Sequence, residues 1–372
     1  MSPDSATATS SQRRLALWLF VCCLLLFAMI LLGGATRLTH SGLSMVEWRP
    51  IAGILPPLDE AEWREAFGKY QQFPEFKKLH PGMDLAGFQS IFWLEFIHRL
   101  WGRMLGLAFL LPLLWFAATR QIPGALVPRL VVVFLLGGLQ GAMGWYMVKS
   151  GLKDRPDVSQ YRLVAHLAFA LVLYGYLFRL ALALARGPAP TPLLLAALDP
   201  VPEPSPAPAA HPGLAAAAAF LTGLVFLTAL SGGFVAGLDA GFAYNTFPLM
   251  GDQLIPEGLA LLSPIWRNPF ENLITVQFDH RLLASLTATL AVFLWLAALR
   301  HRLARPGRWA CHALLLAVLV QFALGVATLL LIVPVPLGVA HQGGAVLLFT
   351  ACLWASFELS RSPHGGVSPG PT

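Results

Sequence analysis

The sequence predicts an all-α membrane protein, with eight transmembrane helices arranged as two pseudo-symmetric four-helix bundles. Three observations carry this. Of 372 residues, 56% are hydrophobic and only 12% charged, about half the charged share of a soluble domain. Eight apolar segments each approach the roughly 20 residues that cross a bilayer. Four short motifs also recur in the same order on either side of a proline-rich segment, the signature of a duplicated unit.

In chain order, a polar tail (1–14) precedes the first apolar segment, near 15–34. That run is too long for a signal peptide, and "GGATRLTH" after it offers no small-residue cleavage site. An outer loop of about 37–92 follows, containing "LDEAEWREAFGKYQQFPEF". Asp59 and Glu62 have capping-box spacing. Trp63, Phe67 and Tyr70 share one face at i, i+4 and i+7, and Pro74 ends the run. The pattern predicts a short amphipathic helix packed on the bundle or lying in the interface, with a partner-docking site as the other reading. Segments near 93–118, 128–148 and 160–185 complete a first bundle, 15–186. Nine prolines in 187–213 make an extended, semi-rigid linker. Segments near 214–237, 276–299, 309–332 and 336–358 form the second bundle, 214–359, followed by a tail, 360–372.

The net charge of +6 would suggest nucleic-acid binding in a soluble chain; here its distribution sets topology instead. With the N-terminus inside, the inner side collects Arg13, Arg14, Arg120, Arg129, Arg179, Arg186, Arg300, Arg302, Arg305, Arg308 and Arg361. Of 19 acidic residues only Asp4, Asp199, Glu203 and Glu358 join them. Short basic inner loops follow the positive-inside rule, and an even number of spans puts both termini in the cytoplasm. Cys22, Cys23, Cys311 and Cys352 all lie in spans, which excludes a structural disulfide in an outer loop. No C-x-x-C-H for covalent haem and no C-x-x-C pair is present.

The repeats are "LLGGATRLTHSGLS" (Leu31–Ser44) with "LSGGFVAGLDAGFA" (Leu230–Ala243), and "EFIHRL" (Glu95–Leu100) with "QFDHRL" (Gln277–Leu282). "LLGGLQGAMG" pairs with "AVLVQFALGV" around Gln140 and Gln321, and "YRLVAHLAFALVL" with "PLGVAHQGGAVLL" around His166 and His341. His98, His166, His280 and His341 therefore fall near the N-terminal ends of the even-numbered spans. This is one depth near the outer face, with two imidazoles in each half. Polar groups there are costly and usually functional. Two histidines on facing helices suit axial ligation of haem iron. Zinc and di-iron sites want three or four clustered ligands, and each half offers two imidazoles and at most one carboxylate. Arg99 and Arg281, each beside a histidine, are placed to pair with haem propionates or to snorkel to headgroups. Glu95 lies one turn from His98 on the same face and is read either as a working carboxylate or as an arginine partner. Gln277, its counterpart, cannot act as a base.

At these residues the chain resembles the haem A synthase family of mitochondria and proteobacteria. The resemblance spans nearly the whole membrane region and rests on "GGATRLTHSGLSMVEWRPIAGILPP" from Gly33, "EFIHRLWGRMLG" from Glu95, "FDHR" from Phe278 and "AHQGGA" from Ala340. It implies an oxidoreductase that converts the C8 methyl of haem O to the formyl of haem A for terminal oxidases, by successive oxidations and loss of water. His98 and His166 would hold the substrate haem, with Glu95 as catalytic carboxylate; His280 and His341 would ligate a resident haem b. Haem O synthase, oxidase-assembly factors, membrane lipid and an electron donor are the implied partners. Some members carry a cysteine pair in outer loops; this chain has none, so a thiol relay there is unsupported. A di-haem cytochrome passing electrons between quinol and a partner is the alternative. An acid-poor N-terminus without a long Arg-rich amphipathic stretch predicts a bacterial inner membrane, with the haem sites toward the outer face.

Overall fold

The computed structural model describes residues 3–47, 52–151, 158–186 and 211–361, without the side chains of 3–9, 52, 150 and 151. The expected linker therefore lies outside the described residues as far as position 210, and the C-terminal tail does so from 362. Among the described residues the helices are α1 (Pro3–Leu38), α2 (Glu60–Tyr70), α3 (Pro74–Leu79), α4 (Leu85–Ala118), α5 (Val127–Gly151), α6 (Gln160–Arg186), α7 (Pro212–Gly237), α8 (Asn268–Glu271), α9 (Leu273–Leu299), α10 (Arg305–Leu330) and α11 (Val335–Leu359). Eight of these, α1, α4–α7 and α9–α11, are long and apolar enough to cross a membrane.

Boundaries differ from the apolar runs where polar residues can still be helical. α4 starts eight residues before the run at Trp93, because the Asp84 carboxylate accepts from Gly87 N at 2.8 Å and caps a helix whose first turns stand above the apolar segment. Pro112 sits inside α4. Lacking an N–H, it cannot bond the carbonyl of Ala108, and the Trp18 indole of α1 supplies that donor at 3.0 Å. A neighbouring helix thus satisfies the carbonyl that the proline strands in the membrane interior.

Helix packing follows the repeat. α1 contacts α4 and α6, and α5 contacts α4 and α6; likewise α7 contacts α9 and α11, and α10 contacts α9 and α11. Across the middle, α6 meets α7 and α11, and α1 meets α11. The apolar core is lopsided. It is built from Leu15, Leu19 and Cys22 of α1, Leu130 of α5, Leu171 and Leu177 of α6, Leu221 of α7, Leu314 of α10, and Phe349 and Cys352 of α11. On each span these residues lie farther from the histidine-bearing end than the histidines or their facing glycines do, Leu171 coming five residues after His166 on α6.

The outer segment forms a second cluster. Trp63, Phe67 and Tyr70 of α2 pack on Phe88, Ile91 and Phe92 of α4, with Trp63 edge-on to Phe92 at 4.9 Å. The amphipathic helix is thus packed on the protein. Its box is formed with a shift: Glu62 N donates to Asp59 Oδ1 at 2.8 Å, while the Glu62 carboxylate accepts from Leu58 N at 2.7 Å, one residue before the cap.

Candidate functional site

Each histidine faces a glycine on the preceding membrane helix. A Cβ at Gly33 (α1) would stand 3.7 Å from the His98 ring, and at Gly144 (α5) 3.1 Å from His166 Cε1. At Gly232 (α7) it would stand 3.0 Å from His280 Cε1, and at Gly325 (α10) 2.8 Å from His341 Cε1. The contact at Gly325 is closer than real Cβ atoms come, and those at Gly232 and Gly144 are tight enough that the ring would have to shift by a few tenths of an ångström. Hydrogen at these positions lets the imidazoles sit where they do. The ring nitrogens are also addressed in parallel. Ser231 Oγ donates to the Thr228 carbonyl at 2.7 Å and lies 2.8 Å from His280 Nδ1. With its own hydrogen committed, that oxygen accepts the Nδ1 hydrogen and leaves Nε2 as the lone-pair nitrogen. Thr36 does the same for His98: its hydroxyl donates to the Leu32 carbonyl and sits 3.4 Å from Nδ1.

Glutamines serve the other pair. The Gln321 amide meets His341 Nδ1 at 3.1 Å, and its Oε1 has no partner among the described residues. With the amide turned over, Oε1 accepts from Nδ1 and frees Nε2. Gln140 Nε2 lies 3.4 Å from His166 Nε2 and donates to the His166 carbonyl at 3.0 Å; His166 Nδ1 is without a partner among the described residues.

His280 and His341 have ring centres 6.3 Å apart with planes at 88°. Two imidazoles on opposite sides of one metal, each with a bond of about 2.0–2.1 Å and about 1 Å from nitrogen to ring centre, place the centres about 6 Å apart. The distance between ring centres is thus one that two imidazoles holding a single metal would have, and the neighbour at each Nδ1 would fix ligand tautomer and aim. No group of three or more His, Cys, Asp or Glu suited to a non-haem ion occurs among the described residues.

Glu95 is 2% exposed. Its Oε1 pairs with Arg99 Nη2 at 2.5 Å, and its Oε2 accepts from Ser44 Oγ and Met45 N, each at 2.7 Å. Arg99 also donates to the Met45 and Glu47 carbonyls at 2.9 and 3.4 Å. In the second half Gln277 Nε2 donates to the Tyr244 carbonyl at 2.9 Å, and Arg281 to those of Tyr244 and Thr246 at 2.8 and 2.9 Å. Glu95 and Gln277 thus pin equivalent loops, after α1 and after α7, in opposite hydrogen-bond senses. Both arginines are turned to those loop carbonyls, and Arg99 clasps Glu95.

Sequence reasoning singled out the histidines, both arginines, Glu95 and its counterpart Gln277; Gln140 and Gln321 entered it only as matching points of the repeat. It missed the hydroxyls of Thr36 and Ser231, the loop donors to Glu95, and the role of the glycines. The Gly-Gly repeated after Leu32 and Ser231, each on the span that precedes a His-Arg pair, was the available signal.

A family model described as a cytochrome oxidase assembly protein, COX15-CtaA, matches residues 16–353. The chain is 50% identical over 350 residues to the haem A synthase of Nitrosospira multiformis, covering 94% of each chain. It is 48% identical over 360 residues to that of Paramagnetospirillum magneticum, covering 96% of this chain and 97% of the relative. Against the haem A synthase COX15 of Bos taurus it is 44% identical over 368 residues, covering 97% and 86%.

Proposed function

The chain belongs to the COX15-CtaA family of cytochrome oxidase assembly proteins, and from that premise we propose that it is a haem A synthase, a multi-pass membrane oxidoreductase. Its substrate is haem O and its product haem A, formed by successive oxidations and loss of water at the C8 methyl. The di-haem cytochrome reading gains nothing from the relatives, all three of which are named for the synthase.

We read the chain as two four-helix units, 15–186 and 214–359, with both termini cytoplasmic and the histidines toward the outer face. His98 and His166 hold the substrate in the first unit, and His280 and His341 hold a resident haem b in the second. When bound, haem b supplies one-electron chemistry. The spacing of the His280 and His341 rings is the observation that best supports that assignment. Thr36, Ser231 and Gln321 orient their imidazoles, and the facing glycines set how near each ring stands to its neighbouring helix.

Glu95 is the first unit's carboxylate, and its surroundings favour one role over another. Three donors converge on its two oxygens, the pattern of an acceptor fixed in place. A fixed acceptor beside the methyl supports stabilisation of positive charge developing there over carriage of a proton away from it.

The test is haem extraction and mass analysis from cells that make haem O, with and without this protein, alongside Glu95→Gln. An amide keeps one oxygen to accept from Ser44 and Met45, so Glu95→Gln preserves shape and removes charge. Haem A, or its hydroxylated precursor, should appear only with the intact protein, while Glu95→Gln keeps its haem and loses at least tenfold in product. Only haems B and O from a folded, haem-loaded protein with an adequate electron supply would refute the synthase. Full activity in Glu95→Gln would reduce Glu95 to a loop anchor.

A further inference from the structure

At the end of the molecule away from the histidines, the starts of α7 and α10 meet the last turn of α11 around an open cleft. His211, Arg302, Ala304, Gly307, Glu358 and Arg361 line this shallow cleft. His211 and Ala304 are the N-cap residues of two 26-residue helices. Neither makes a side-chain cap bond, and neither helix has an acidic residue in its first turn. The positive ends of two helix dipoles therefore converge here without a carboxylate to offset them. Arg305 and Arg308 add positive charge in the first turn of α10, where a cation is electrostatically unfavourable.

The cleft's own carboxylate does not balance this. Glu358 Oε1 is held by Arg186 Nη2 at 2.8 Å and by the Trp354 indole at 3.2 Å. Arg302 makes no hydrogen bond or ion pair among the described residues and is exposed. Arg361 lies with its guanidinium 5.3 Å over the Phe357 ring and gives only Nη2 to the Arg186 carbonyl at 3.4 Å. Around the cleft α7 and α10 present exposed Phe220, Trp309 and Leu316, side chains suited to lipid rather than water. Two guanidiniums, two open helix ends and an imidazole, set among apolar helix surfaces, call for an anion that carries acyl chains.

We propose that this cleft binds a phosphate group, carried by an anionic phospholipid whose headgroup seats between Arg302 and Arg361 at the N-terminal ends of α7 and α10. Basic pockets between transmembrane helices recognise such headgroups on chemical grounds alone. The site lies at the opposite end of the helices from Glu95 and the four histidines, so it is independent of the haem assignments.

The full-length protein, extracted in mild detergent, is mixed with equal phosphatidylglycerol and phosphatidylcholine and examined by native mass spectrometry. Phosphatidylglycerol adducts should exceed phosphatidylcholine adducts several-fold. The double variant Arg302→Gln with Arg361→Gln should lose that preference. Arg13→Gln with Arg14→Gln removes equal charge from α1, outside the cleft, and should retain it; haem content checks folding in both. Equal adducts of the two lipids, or equal losses in both double variants, would overturn the site and leave only the general basicity of that face. A thermal midpoint raised as much by inorganic phosphate as by phosphatidylglycerol would overturn the lipid and assign the cleft to the free ion.

Discussion

The glycines opposite the histidines carry a graded prediction. At Gly325 a methyl would stand 2.8 Å from His341 Cε1, at Gly232 3.0 Å and at Gly144 3.1 Å from their rings, but at Gly33 3.7 Å, ordinary contact. Overpacking of this kind costs about 1–3 kcal/mol when neighbours cannot yield, and an imidazole anchored at Nδ1 has little room to yield. Gly325→Ala and Gly232→Ala should therefore lower haem retained per protein severalfold, while Gly33→Ala keeps it near the wild-type level. The haem-to-protein ratio of each purified variant, measured as the pyridine haemochrome, reads this directly. If Gly33→Ala lost as much haem as Gly325→Ala, steric seating of the rings would not be what these glycines do. Residues of this kind divide what a sequence discloses from what it hides. His98, His166, His280, His341 and Glu95 declare themselves because polar groups are rare in apolar spans. Thr36 and Ser231 do not, since a hydroxyl in a membrane helix can bond its own i−4 or i−3 carbonyl with no further role. Only their distance to Nδ1, set by how α1 meets α4 and α7 meets α9, reveals them.

At the level of elements, all eight spans were legible, because the bilayer thickness fixes their length and apolarity. Their ends were less so, as the polar start of α4 above Trp93 shows. The helix α2 matched its pattern, whereas α3, which starts at Pro74 where the run was expected to end, was not anticipated; the packing of the two creates a pH dependence. Tyr70 is wholly buried, and its hydroxyl lies 2.9 Å from His80 Nδ1. Burial, then the charge of the Glu75 carboxylate and a side-chain hydrogen bond to it, raise the Tyr70 pKa, which keeps the phenol protonated. The His80 ring packed beside it is held toward its neutral form. Burial, then the nearby His40, hold its pKa below the ordinary 6.5. The unfolded segment thus binds a proton at higher pH than the folded one. The contribution is fully present above pH 6.5 and is lost as pH falls through the folded pKa. Hydrogen–deuterium exchange over 60–80, corrected for intrinsic rates, should show less protection at pH 5.5 than at 7.5. His80→Gln, which can accept without titrating, should flatten that difference. Equal protection at both values in the native chain would remove His80 from the account.

At the scale of the whole molecule the internal repeat was readable, but the surface joining its halves was not, since nothing in a repeat states how copies face each other. Polar contacts cross it along its length, from Tyr161 with Glu271 to Arg186 with Glu358, and three more lie between α1, α6, α7 and α11. Gln342 Nε2 of α11 donates to the Ile30 carbonyl of α1 at 2.8 Å, and Tyr174 of α6 meets Thr350 of α11 at 2.8 Å. Arg37, at the end of α1, pairs with Asp239 at 3.1 Å and donates to the Gly237 carbonyl at 3.3 Å, both just beyond or at the end of α7. His40 and Asp239 occupy equivalent places in the repeat and share a left-handed backbone, at φ 49° and 54°. Arg37 Nη1 also stands 3.2 Å from His40 Nδ1, so one guanidinium addresses the same position in both copies. Its own counterpart is Ala236, so the clasp is made once rather than twice. A half-exposed ion pair contributes about 0.2–1 kcal/mol in isolation, and the 10% exposure of the Arg37 side chain places this one toward the upper end. A double-mutant cycle of Arg37→Gln and Asp239→Asn, followed by thermal unfolding in lipid nanodiscs, should give a coupling of about 1 kcal/mol. A coupling indistinguishable from zero would mean that close packing such as Leu31 and Phe27 against Gly343 joins the halves unaided. In that case Arg37 would act within the first half alone, through His40. A coupling near the expected value makes the outer end of the seam an electrostatic hinge-pin between α1 and α7. These are the helices that carry Gly33 and Gly232, and through them the seats of His98 and His280.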